Sequence, residues 1–112
     1  MGMLLFLASC TEKQKAKSTV KSFVETNIKA GTDYSIGGFG SIDSTRYVTN
    51  DAVSLMKSNA KNKSHFKSNT QYGERLQKEQ LKYINATIKV NGKDSTYTFY
   101  LSNDLSSVVA IK

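Results

Sequence analysis

The chain has 112 residues, no Pro, no Trp, six Tyr, five Phe and a formal charge of +7. That length supports one domain burying roughly two-thirds of its unfolded surface, and the aromatic content excludes a Pro-rich linker or a disordered segment. The charge comes from 14 Lys against Arg46 and Arg75. Nucleic-acid readers favour Arg for its two-pronged grip on phosphate and guanine, so a lysine surplus fits solubility or an anionic surface at least as well.

The single cysteine, Cys10, excludes an intrachain disulfide, and a lone thiol in a secreted chain needs another explanation. Met3–Ala8 is a short apolar run, followed by Ser9-Cys10 and the polar stretch Thr11–Lys15. The quartet Leu7-Ala8-Ser9-Cys10 resembles the lipobox of bacterial lipoproteins: an aliphatic residue, two small residues, then cysteine. In that chemistry the thiol takes diacylglycerol as a thioether, and the small residues let the peptidase reach the bond. The resemblance implies a signal peptide over residues 1–9, cleavage between Ser9 and Cys10, and lipidation at Cys10. It also implies a lipidated tether over 10–15 and a single domain over 16–112. Signals of this kind carry a positive n-region and a longer apolar core, whereas no Lys or Arg precedes Cys10, so the true signal is expected to begin further upstream. The competing reading makes Met3–Ala8 a first strand or helical turn in the core. N-myristoylation is set aside, because its motif needs Ser or Thr where Phe6 stands.

Within Thr11–Lys29, Ala16, Val20, Phe23, Val24 and Ile28 recur at spacings of three and four, which predicts an amphipathic helix. Ala30-Gly31 supplies its stop. Tyr34-Ser35-Ile36 and Phe39-Gly40-Ser41-Ile42 read as an extended segment bent at Gly37-Gly38. A phosphate-cradling loop is the weaker alternative there, since no Gly-Lys-Ser/Thr ending follows and no helix opens. Tyr47-Val48 is expected to extend this strand or begin another. Thr49 or Asn50 caps a second helix, with Asp51 in its first turn and Val53, Leu55, Met56 and Ala60 as its apolar stripe. Lys57–Asn69 reads mostly as a solvated connection holding one large apolar residue, Phe66. Tyr72–Gln80 is expected to be another short helix.

The C-terminal third has the clearest pattern. Ile84, Ala86, Ile88 and Val90 alternate with polar residues, and Asn91-Gly92 is the preferred pair for a type I′ hairpin. Closing that turn sets Val90 opposite Lys93, Ile88 opposite Ser95, Ala86 opposite Tyr97 and Ile84 opposite Phe99. Turn chemistry and alternation then agree on the register. Ser102-Asn103-Asp104 makes a second turn, and Val108–Ile111 forms a last strand of ambiguous facing. The expected fold is α+β: the first helix packed on a curved antiparallel sheet that ends in a three-stranded meander, an arrangement that resembles cystatin-like or cone-like folds.

Lys21-Ser22-Phe23-Val24-Glu25-Thr26-Asn27-Ile28-Lys29, then Asp33-Tyr34-Ser35 and Ile42-Asp43-Ser44, resemble a recurring pattern in short lipoproteins of the Bacteroidota. The closing Tyr97-Thr98-Phe99-Tyr100-Leu101 and Val108-Val109-Ala110-Ile111 are similar too, although the Pro usual before Asp33-Tyr34 is missing. The resemblance implies an envelope location, with the chain anchored at the outer membrane and facing the periplasm or the surface. It implies no activity and no catalytic residues.

Residues able to carry chemistry are few. His65 is the one histidine and has no Cys, Asp or Glu near it in sequence, so metal-ligand spacing is absent. Asp43 and Asp51 sit at an expected turn and cap, and no serine lies in a Gly-x-Ser-x-Gly setting. No catalytic residue, metal or cofactor is therefore assigned. Tyr83, Tyr97, Phe99, Tyr100, Lys82 and Lys89 suggest a stacking platform for single strands or sugars, against the plainer expectation of aromatics filling one sheet face. Asn62-Lys63-Ser64 and Asn85-Ala86-Thr87 match the glycosylation sequon by coincidence. Lys57, Lys61, Lys63 and Lys67, with His65 among them, form a basic stretch expected to contact polyanions or an envelope component weakly and without selectivity. The leading expectation is a lipid-anchored binding or interaction module whose membrane contact is the lipid on Cys10. The alternative is an enzyme with a pocket between the first helix and the sheet.

Overall fold

The Asn91-Gly92 turn organises the sheet, and both residues take the positive φ (51° and 84°) that a type I′ turn requires. The computed structural model describes residues 2–63, 65–75 and 80–112, with side chains for all of these except 2–10 and 62–63. Strand β3 (Leu81–Val90) pairs antiparallel with β4 (Lys93–Leu101) in the expected register, with Val90 opposite Lys93, Ala86 opposite Tyr97 and Ile84 opposite Phe99. Strand β5 (Val108–Ile111) completes the meander on the far side of β4.

The outer neighbour of β3 is a strand in two pieces. β1 (Tyr34–Gly37) pairs with residues 87–90, and β2 (Asp43–Thr45) pairs with residues 81–83. Between them the chain bends at Gly38 (φ 61°), and Gly40 keeps one backbone bond to Asn85 O at 2.9 Å. The Gly37-Gly38 bend is thus a strand break and not a phosphate loop. The strand ends at Thr45, so Tyr47-Val48 neither extends it nor starts another; Tyr47 is 93% exposed.

Helix α1 (Gly2–Asn27) lays Ala16, Val20, Phe23 and Val24 against Ile84, Ala86, Ile88 and Phe99 in the main core. Residues 10–15, expected as a tether, are helical here, and the Glu12 carboxylate is paired with the Lys82 ammonium on β3. The side chains of Leu7, Ala8, Ser9 and Cys10 lie outside the described residues, as does the question of whether Met3–Ala8 is buried. At the other end Asn27, 4% exposed, closes the helix. Its Nδ2 donates to Phe23 O (2.9 Å), its Oδ1 accepts from Gln71 N (3.0 Å), and its backbone O accepts from Lys67 N (2.8 Å).

The solvated-connection expectation for residues 57–69 fails for 57–63, which continue a helix, and for buried Phe66, while Ser58, Asn59, Lys61 and Lys67–Asn69 are exposed as expected. Helix α2 (Asn50–Lys63) runs well into that stretch, started by Thr49, whose Oγ1 accepts from Ala52 N at 3.0 Å. Phe66 then turns inward and is fully buried, with its ring 5.5 Å from Phe23 and 5.4 Å from Tyr97. One large apolar side chain in a polar run was enough to bring the segment to the core. The helix expected over Tyr72–Gln80 is absent from Tyr72–Arg75. Gly73 N instead donates to Val108 O (2.8 Å), which lays the chain along the margin of β5. Residues 76–79 lie outside the described residues.

All four residues of β5 are buried, which is why its facing was ambiguous from pattern alone. An irregularity at Tyr100/Leu101 puts Val108 and Ile111 in the main core, while Val109 and Ala110 join Val53 and Leu81 in a second cluster beneath α2. The architecture is α+β, with a five-strand antiparallel sheet covered on one face by α1 and flanked at β5 by α2.

Phe66→Ala and Phe99→Ala should each lower stability by about 3–5 kcal/mol in denaturant unfolding, the range for a core Phe. A loss below about 1 kcal/mol for Phe66 would place its ring at the surface. Gly73→Ala should also destabilise the domain, by about 1–3 kcal/mol, because an added Cβ would lie 2.4 Å from Ser107 Cβ. An unchanged unfolding midpoint would show that the 72–75 segment is not held against β5.

Candidate functional site

A concavity lies where α2 crosses the end of β5. It has a volume of about 390 Å³. Val48, Ala52, Met56 and Ile111 make its apolar wall, and Tyr97, Tyr100, Asn59 and Lys112 bring polar atoms to it. Two residues stand at its mouth in solvent: Tyr47 at 93% and Leu55 at 62% exposure, the large exposed apolar side chains among the described residues. An apolar hollow with a few polar groups at its margin is the common form of a small-molecule site.

Local sequence explains each wall. The Thr49 cap fixes the start of α2, so residues 52, 55, 56 and 59, at helical spacing, turn one face to the groove. The β4–β5 pairing sets Ile111 opposite Phe99. Burial raises the pKa of the Tyr97 phenol, offset in part by the His65 backbone N–H that donates to its oxygen at 3.3 Å. Tyr97 therefore stays a neutral phenol across the physiological range and acts here as a hydrogen-bonding group.

A second hollow, of about 350 Å³, opens between α1 and the 102–107 turn and is lined by hydroxyls of Ser18, Thr19, Ser22, Ser106 and Ser107. Thr19 Oγ1 donates to Leu105 O at 2.6 Å, tying the turn to the helix. Within the turn Asp104 accepts from Ser106 Oγ (2.6 Å), Ser102 Oγ (2.7 Å) and Ser106 N (3.1 Å). The hydroxyl bonds hold its carboxyl down to about 2, from an ordinary 3.8. A third hollow collects lysines of the basic stretch.

The expected site residues are dispersed. Ser9 and Cys10 have side chains outside the described residues. His65 contributes its backbone: its N–H goes to Tyr97 and its carbonyl accepts from Lys29 N at 3.0 Å. The six-residue stacking platform divides between two faces. Phe99 is core, and Tyr97 and Lys82 share its face, while Tyr83 and Tyr100 pack together at 5.8 Å on the opposite face with Lys89. On that outer face Thr98 donates to Asn85 Oδ1 (2.7 Å) and Thr87 and Thr96 hydroxyls meet at 3.1 Å, a cross-strand polar ladder. Asp43 and Asp51 are exposed and stand apart, at a strand start and a helix start. Among the described residues no His, Cys, Asp and Glu cluster could hold a metal ion. No helix among them is long and apolar enough to cross a membrane.

The groove itself had no sequence signal as a unit, since it joins a loop, a helix and two strands. Its one detectable hint was Leu55, an apolar residue at the margin of the α2 stripe. Comparison with known proteins finds no matching family, no matching curated protein and no matching solved structure.

The Asp104 bonds give a pH signature. Ionising at about 2 when folded against 3.8 otherwise, the carboxylate favours the folded turn fully above pH 3.8, and that contribution disappears as the pH falls through 2. The Ser106 amide resonance should therefore titrate with a midpoint near 2. A midpoint at the ordinary carboxylate value would mean that Asp104 does not hold the turn.

Proposed function

We propose that this chain is a lipid-anchored binding module of the bacterial cell envelope whose groove beneath α2 takes a small apolar or amphipathic molecule. The groove carries this reading. About 390 Å³ lies open here, walled mainly by apolar side chains, whereas the other two hollows are lined by hydroxyls or by lysines and hydroxyls. Tyr47 and Leu55 at its mouth keep apolar surface in water that a ligand would cover. The anchor rests on the order Leu7-Ala8-Ser9-Cys10, with residues 1–9 removed as a signal and residues 10–15 leading from the lipid into the domain. The outer membrane is the proposed address.

The alternative, an enzyme working between the first helix and the sheet, has less support. Phe23, Phe66 and Phe99 occupy that gap with ring separations of 5.5 to 6.5 Å. Asn27, the polar side chain buried at its edge, is bonded to backbone at both ends of its amide.

Two experiments separate anchor from groove. Mass spectrometry of membrane-extracted protein should find an N-terminus at Cys10 carrying lipid, and Cys10→Ala should release the protein or leave its precursor. An intact Met1 with a free thiol ends the anchor proposal. Independently, calorimetric titration of the soluble domain with dodecanoate should show saturable binding that Leu55→Asp weakens about tenfold, the loss expected when an apolar contact worth about 1.4 kcal/mol is removed. The same variant should unfold within about 0.5 kcal/mol of the parent, as an exposed substitution does. Equal affinity in parent and Leu55→Asp rules the groove out.

A further inference from the structure

Three lysines of the basic stretch, Lys57, Lys61 and Lys67, come together around one hollow, with Lys61 and Lys67 still exposed to solvent. Ser54, Lys57, Ser58 and Lys61 fall at helical spacing on one side of α2, and the returning segment sets Lys67, Ser68, Thr70 and Tyr72 across from them around a cavity of about 330 Å³. The fold makes this enclosure. Phe66 is buried, and the Lys67 backbone N–H is held by Asn27 O at 2.8 Å, so the segment cannot swing away from α2 without leaving the core.

The electrostatics of the cavity are one-signed. Lys57, Lys61 and Lys67 line it, and among the described residues no Asp or Glu does. Lys57 and Lys61 stand four residues apart on one helix, the spacing at which like charges repel. Lys67 Nζ donates to Thr26 O at 3.3 Å, and an ammonium has three donors to give. Lys57 Nζ lies 5.3 Å from the centre of the Tyr72 ring, which holds that cation over the cavity wall. Thr70 Oγ1 already donates to Lys67 O, fixing the loop. Tyr72 keeps its hydroxyl shielded from solvent with no hydrogen-bond partner among the described residues, a buried donor of the kind folded proteins rarely leave unused.

We propose that this cavity binds a phosphate monoester carried on a sugar-sized polar body. A phosphate dianion meets the three ammoniums with more acceptor oxygens than a carboxylate has, and lysines hold phosphate as point charges without the planar geometry of arginine. The volume exceeds that of a bare phosphate and lies in the range of small-ligand sites. Serine hydroxyls on both walls suit the hydroxyls of a sugar ring. The site is separate from the groove beneath α2 and does not depend on the anchor.

The test is a titration of the whole domain, followed by amide NMR shifts, with glucose 6-phosphate, glucose, inorganic phosphate and phosphatidylcholine vesicles with and without phosphatidylinositol 4-phosphate. Glucose 6-phosphate should saturate at one equivalent and move the amides of residues 57–61 and 67–72, with glucose inert and inorganic phosphate weaker. Lys57→Gln and Lys61→Gln should each weaken binding about tenfold, the scale of one charge-assisted contact. Lys89→Gln, on the outer sheet face, should leave it unchanged. A free sugar phosphate that binds as well as the vesicle headgroup identifies a soluble source; tighter binding to the doped vesicles identifies a headgroup. Both support the site. Equal losses in all three lysine variants, shifts scattered over the surface, or glucose binding as well as its phosphate would each overturn it.

Discussion

Phe66 sends its ring from a polar, lysine-rich stretch into the gap between α1 and the sheet, and much of the molecule is organised by that one insertion. The ring meets Phe23 from the helix and Tyr97 and Phe99 from β4, so it joins the two layers of the fold. Burying an aromatic side chain removes a large apolar area from water. That gain holds residues 65–72 against the C-terminus of α1, where an isolated polar loop would have little reason to stay. The isolated bridge between Ile28 and Phe66 and the Asn27 bonds follow from it.

Asn27 shows how the polar groups exposed by that arrangement are satisfied. A helix end leaves carbonyls without partners, and a loop crossing it leaves amides without partners. One buried amide side chain reaches both, bonding back to Phe23 and across to Gln71. Lys67 takes the Asn27 carbonyl by its own backbone N–H. The junction is bonded in both directions, so the same contacts that end the helix position the wall of the lysine-lined cavity.

What could be read from the chain alone divides along the distance over which each signal acts. The β3–β4 hairpin was legible pair by pair because Asn91-Gly92 and the alternation from Ile84 to Val90 are local and agree. The α1 stripe was legible for the same reason, as was the bend at Gly37-Gly38. The Phe66 insertion was not, because nothing in the surrounding Lys, Ser and Asn residues distinguishes a buried aromatic from an exposed one. Gly73 carries no sequence mark of its closeness to Ser107, which only the β5 margin creates. The candidate groove was the least legible part. Its residues were all visible, but Tyr47, Leu55, Tyr97 and Ile111 meet through tertiary packing that no periodicity encodes. The lysines were seen as a run, and their convergence on one cavity depends on the loop that Phe66 holds.

The two margins of the sheet are closed by different means. On one side the strand beside β3 is broken between Gly37 and Asp43, and on the other β5 lies under α2 with Gly73 bonded along it. Unpaired strand margins invite pairing with another chain, and here neither presents a long, uninterrupted row of free backbone groups. A protein gathered at high density in two dimensions meets copies of itself far more often than one diluted in bulk. If the proposed anchor gathers this chain on a membrane, an interrupted margin and a covered one would hinder neighbouring sheets from merging into a shared ribbon.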